Sequence, residues 1–114
     1  MPPKTNPLKL NPLQLRTLTV LQALAREPAA ARSGPGPGEV TIERFPEAHG
    51  GHFHVGSAAV SAKDASGLYI DKVWHALERK GLAKADYPHR IVLTAAGLGY
   101  DTGMADEILK RSAH

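Results

Sequence analysis

The chain has no cysteine, so disulfides and thiolate metal centres are both excluded. Aromatic residues make up only 5% of its 114 residues, which leaves little material for stacking platforms. No apolar run approaches the ~20 residues that a membrane span requires. The opening MPPKTNPLKLNP is broken by proline and lysine and has no continuous apolar segment, so it does not read as a secretory signal. These absences together predict a cytoplasmic protein with no membrane partner.

Glycine and proline are plentiful, at 11 and 9 residues, and much of both is clustered. Part of the length therefore reads as tail and loop. We expect a flexible tail over residues 1–10, then one domain over 11–114 with a flexible Pro/Gly-rich connector at 28–38. Periodic apolar pattern covers roughly 80 to 90 residues, enough for a modest core.

Asn11 and Pro12 form an N-cap and first-turn pair ahead of Leu13, Leu15, Leu18, Val20, Leu21 and Leu24. This helix should end near Arg26 or Glu27, because Pro28 disfavours helical geometry before it. Leu15 and Val20 lie off the main stripe, which suggests packing on two sides, one of them across a dimer. Residues 38–45 (GEVTIERF) and 52–56 (HFHVG) read as two strands of a hairpin turned at 46–51. A short helix is expected from about Ser61, closed by Gly67.

Ile70, Val73, Trp74 and Leu77 then mark one face of a helix over about 70–80 that Gly81 terminates. Trp74 lies on that face and reads as core. Leu82–Lys84 and Arg90–Leu93 follow as strands around a tip at 85–89, where Pro88 needs no ladder N–H. Thr94 should cap a last helix that includes Ala95, Ala96, Leu98, Ile108 and Leu109, weakened by Gly97, Gly99 and Gly103.

Leu77-Glu78-Arg79-Lys80-Gly81-Leu82 and Leu93-Thr94-Ala95-Ala96-Gly97 stand in this order about a dozen residues apart. A helix ending in a Leu-x-x-Lys-Gly-Leu signature, then a strand ending in Leu-Thr-x-x-Gly, resembles the winged helix-turn-helix superfamily, most of all MarR-like bacterial regulators. The resemblance covers roughly residues 57–100. It implies an α+β fold with a small three-helix core, a β-hairpin wing and, here, an additional N-terminal helix. It also implies a homodimeric regulator of transcription that inserts helix 70–80 into the major groove of double-stranded DNA and rests the 82–93 wing on the backbone.

On that reading Tyr69, Asp71 and Lys72 lie at the leading end of the helix, and Lys72, His75 and Arg79 share its polar side at i, i+3 and i+7. Arg79 and Lys80 face phosphate, and Lys84, His89 and Arg90 reach out from the wing. The helix offers no Asn or Gln for adenine, so backbone contact outweighs base readout. Net charge is +3, and the basic excess falls on residues 72–90: Lys72, Arg79, Lys80, Lys84 and Arg90 against Glu78 and Asp86, with Asp71 just outside. A solvated helix face has the same appearance. A protein-interaction winged helix that docks through its apolar first helix is the alternative, because fold alone does not carry function.

His49, His52 and His54 raise a third reading, a metal-responsive regulator, since imidazoles at i and i+2 of a strand share a face. Solvent-facing histidines give the same pattern. Ser57, Ser61, His75 and Asp71 hold no motif of a nucleophilic site. GPGPG at 34–38 lacks the Lys-Ser/Thr of a phosphate loop. Neither an enzyme nor a cofactor is expected.

Overall fold

The computed structural model describes residues 6–46, 51–56 and 58–111, the last two in backbone only. Its first helix, α1 (Pro12–Leu24), begins as its residues dictate. The Asn11 side chain accepts from the Gln14 N–H at 2.8 Å, and the Gln14 side chain accepts from the Asn11 N–H at 3.0 Å. This reciprocal cap satisfies two helix-end donors at once. Leu15, Leu18, Val20, Leu21 and Leu24 are all buried, and so are Thr17 and Thr19. Both threonine hydroxyls donate to carbonyls one turn back, of Leu13 and Leu15, each at 2.8 Å, so their burial leaves no hydroxyl unpaired. The off-stripe Leu15 and Val20 are thus accounted for within one chain: α1 is the central helix of the core. Leu15, Leu18, Val20, Leu21 and Leu24 are therefore not exposed to a second copy or a partner.

The segment 28–38, expected to be a connector, supplies an edge strand. β1 (Ala31–Ser33) pairs with β2 (Val40–Ile42). The turn between them is organised by Glu39, whose carbonyl accepts from the Gly34 N–H at 2.8 Å and whose carboxylate accepts from the Gly36 N–H at 3.0 Å. β2 also pairs with β6 (Arg90–Leu93), matching Val40, Thr41 and Ile42 to Leu93, Val92 and Ile91. With β5 (Ala83–Asp86) this makes a four-stranded antiparallel sheet of order β1-β2-β6-β5.

β3 (His52–Val55) does not pair with β2, and the expected hairpin across 46–51 does not form. β3 pairs instead with β4 (Ala58–Ser61), which pairs in turn with β7 (Lys110–Arg111), giving a second antiparallel sheet. β4 and the turn after it replace the helix expected from Ser61. Val60 opposes Phe53 across the ladder and is fully buried, and this burial outweighs the helix propensity of the neighbouring alanines. Gly67 caps no helix. It lies in a 3-10 turn (Ser66–Tyr69) set directly on α1, where a Cβ would sit 1.9 Å from the Thr17 hydroxyl oxygen.

α2 (Asp71–Arg79) buries Val73, Trp74, Ala76 and Leu77, whereas Ile70 at its head is 37% exposed. The Trp74 indole N–H donates to the Leu68 carbonyl at 3.1 Å, which settles the polar end of a core side chain. Gly81, at φ 77°, turns the chain out of α2. The β5–β6 hairpin follows, its first strand two residues longer at the tip than expected: Ala85 and Asp86 pair with Ile91 and Arg90, leaving Tyr87–His89 as the turn. The Thr94 hydroxyl accepts from the Gly97 N–H at 3.1 Å and starts α3 (Ala95–Gly99). The single last helix expected from sequence is divided, since α4 (Ala105–Ile108) is separate.

The architecture is α+β, with four α-helices and two antiparallel sheets among the described residues. It departs from the expected helix-turn-helix in having a second sheet, and in that a β-hairpin and a 3-10 turn, not a helix, lead into α2. None of its helices is long and apolar enough to cross a membrane, among the described residues.

Candidate nucleic-acid interface

The polar side of α2 carries Asp71, Lys72, His75, Glu78 and Arg79, all exposed. It divides lengthwise into two strips. Along one edge His75 is held between two carboxylates of its own helix, with Nε2 2.8 Å from Asp71 Oδ1 and Nδ1 3.5 Å from Glu78 Oε1. The second Glu78 oxygen accepts from the Ala85 N–H at 3.2 Å, which joins this edge to β5. The other edge carries Lys72 and Arg79, seven residues and close to two turns apart, and Lys80 follows at the helix end. None of these three cations has an ion-pair partner among the described residues.

The wing cations are arranged differently. Lys84 Nζ lies 3.0 Å from a carboxylate oxygen of Glu39, so the ammonium ties β5 to the β1–β2 turn. Arg90 faces Asp86 at 3.8 Å across the end of the hairpin. His89 is exposed at the tip. Tyr69 is 48% exposed but already engaged: its hydroxyl donates to the Pro46 carbonyl and its ring lies 6.2 Å from that of Phe53.

Two side chains that sequence reasoning did not single out position this surface. Tyr87 donates its hydroxyl to the Tyr69 carbonyl at 2.7 Å and sets its ring edge-on to Trp74 at 4.9 Å. The wing tip is thereby pinned to the head of α2 instead of standing away from it. Glu39 holds both its own turn and Lys84. A Tyr before proline in a hairpin tip is a visible local cue. The pairing of Glu39 with a lysine far along the chain has no sequence signal.

The remaining candidates separate clearly. His52 and His54 share the outward face of β3, with Nε2 atoms 3.2 Å apart, while His49 lies outside the described residues. No group of three or more His, Cys, Asp or Glu is placed to hold a metal ion among the described residues. Ser61 Oγ donates to Asp64 at 2.9 Å and is not directed at His75, and Ser57 lies outside the described residues. GPGPG at 34–38 forms the β1–β2 turn, where a carboxylate takes the Gly36 N–H that a phosphate would need. Just after β2, the Glu43 carboxyl is held below its ordinary range, first by the hydrogen bond from Arg32 of β1 and then by that residue's charge; the Arg32 guanidinium is correspondingly raised.

Comparison with protein-family models, curated proteins and solved structures finds no match to this chain.

Proposed function

We propose that this protein is a winged-helix-type DNA-binding module, a small bacterial transcriptional regulator that docks α2 against duplex DNA. Three features support the reading: the order α2, then β5–β6 hairpin; the packing of that hairpin in a sheet with the earlier strand β2; and a free basic edge on α2. The last carries it. Lys72, Arg79 and Lys80 are exposed cations without an ion-pair partner among the described residues, available to displace counterions from phosphate.

In this mechanism α2 enters the major groove with its Lys72–Arg79 edge toward one phosphate strand. Lys80 extends that contact beyond the helix end. Tyr69 and Asp71 stand at the leading end, where Asp71 offers a hydrogen-bond acceptor to base edges and repels phosphate. His75 is a weaker partner than its position in sequence implies, because two carboxylates flank it. Lys84 and Arg90 exchange Glu39 and Asp86 for the DNA backbone, and His89 at the tip reaches the adjoining groove. Affinity is electrostatic and sequence preference slight. The protein is a binding module without catalytic chemistry and needs no cofactor.

Fluorescence anisotropy with a mixed-sequence duplex tests this reading. The three α2 cations alone predict a loss on the order of 40-fold in affinity between roughly 50 and 200 mM salt, and backbone contacts by Lys84 and Arg90 steepen it. Lys72→Glu combined with Arg79→Glu should remove binding at the lower salt. Binding that survives this reversal, or that ignores salt, would refute the role of α2.

One observation favours a second reading, a protein partner. The Asp71, His75 and Glu78 edge gives α2 charges of both signs side by side, as a protein surface of mixed charge would match. The partner would meet α2 and not α1, whose apolar residues are in the core. No DNA binding at low salt would favour this reading.

A further inference from the structure

We propose that His52 and His54 form a two-imidazole chelate for a divalent transition-metal ion of the zinc or nickel class. This inference is independent of the DNA reading. Strand alternation places both rings on the outward face of β3, while Phe53 and Val55, at 7% and 4% exposure, hold the inward face in the core. The cross-strand neighbours on the outward face are Ser61 and Ala59, both small, so neither ring is crowded by its partner strand. The Ser61 hydroxyl is directed to Asp64.

The rings meet nearly edge to face, with centroids 4.8 Å apart and planes at 83°, and their Nε2 atoms are 3.2 Å apart. Two nitrogens bound to one tetrahedral ion at about 2.0 Å each are separated by about 3.3 Å. The strand therefore holds two imidazole nitrogens at the spacing such an ion imposes, and its ladder to β4 settles much of the ordering cost in advance. Both Nε2 lone pairs are offered to the ion when each ring carries its proton on Nδ1.

Imidazole nitrogen favours zinc, nickel and copper over magnesium and calcium, which prefer oxygen donors. No third His, Cys, Asp or Glu joins the pair among the described residues. Such a site takes up and releases its ion readily, in the manner of a sensor and not of a structural centre.

Thermal unfolding of the full chain with zinc or nickel chloride, against magnesium chloride, tests the site. At a tenfold excess over Kd, zinc or nickel should raise Tm by about 5 °C or more, and magnesium should not. His52→Ala and His54→Ala should each abolish the rise, while His75→Ala and His89→Ala keep it. Imidazole nitrogen NMR on the unaltered chain gives a readout independent of variant folding. Zinc should move the Nε2 resonances of His52 and His54 and leave their Nδ1 protonated. The proposal is overturned by no rise in the unaltered chain, by a rise that persists in the His52→Ala/His54→Ala double variant, or by zinc-shifted resonances on other histidines alone.

Discussion

Gly97 and Gly99 look alike in sequence, as two helix-weakening residues in one segment, but their surroundings are opposite. A Cβ on Gly97 would sit 2.0 Å from the Leu82 carbonyl oxygen, whereas one on Gly99 would meet nothing within 4 Å. The first glycine lets α3 rest on the backbone where β5 begins, and the second only loosens a helix end. Gly97→Ala should therefore cost about 1–3 kcal/mol, as forced packing does. Gly99→Ala should be neutral or stabilising by up to about 1 kcal/mol. Urea unfolding of the two variants checks the contrast, and equal effects would refute it. Single residues were legible where their signal was local: Asn11 as cap, Trp74 as core, Gly81 as terminator, Thr94 as cap. Close approach between distant segments, as at Gly97 and at Gly67 over Thr17, leaves no trace in a linear pattern.

The same division holds for whole elements. α1, α2 and the β5–β6 hairpin are recognisable because caps, apolar periodicity and turn residues all lie within each element's own span. β1 was hidden under Pro and Gly, and β4 under alanine, because three- and four-residue strands depend on partners elsewhere. β3 was legible as a strand while its partner was not: alternation gives the buried face but does not name the neighbour. The candidate site divides in the same way. Its exposed helix positions follow from the wheel, whereas the pairing of His75, Lys84 and Arg90 follows from carboxylate placement.

At the β1–β2 pair this placement has a pH consequence. The lowered Glu43 carboxyl contributes stability that is present above the ordinary carboxylate range and lost as pH falls through its depressed folded value. The Tm difference between the unaltered chain and Glu43→Gln should be small, since both partners are solvent-exposed, and positive at neutral pH. It should close as the solution is made acidic. A difference that widens in acid would contradict the pairing.

Across the whole molecule, Arg16, Arg32, Lys84 and Arg90, four of the 14 Lys and Arg, are paired with carboxylates among the described residues, so fewer cations face a partner than the sequence offers. Apolar surface is similarly spent. Tyr69 and Ile70 are the large hydrophobics left exposed among the described residues, and Leu15, Leu18, Val20, Leu21 and Leu24 of α1 are interior. We expect a monomer of 12.2 kDa by sedimentation equilibrium without DNA, and a stable dimer mass would show that pairing uses a surface other than α1.

The strand orders carry one more implication. The chain visits the first sheet with β1 and β2, the second with β3 and β4, returns to the first with β5 and β6, and ends in the second with β7. Neither sheet corresponds to a continuous stretch of polypeptide, so no single cut yields a fragment holding one complete sheet without strands of the other. Evolution can lengthen the turns of such a chain far more easily than it can exchange its halves, because each half is missing strands that only the other supplies.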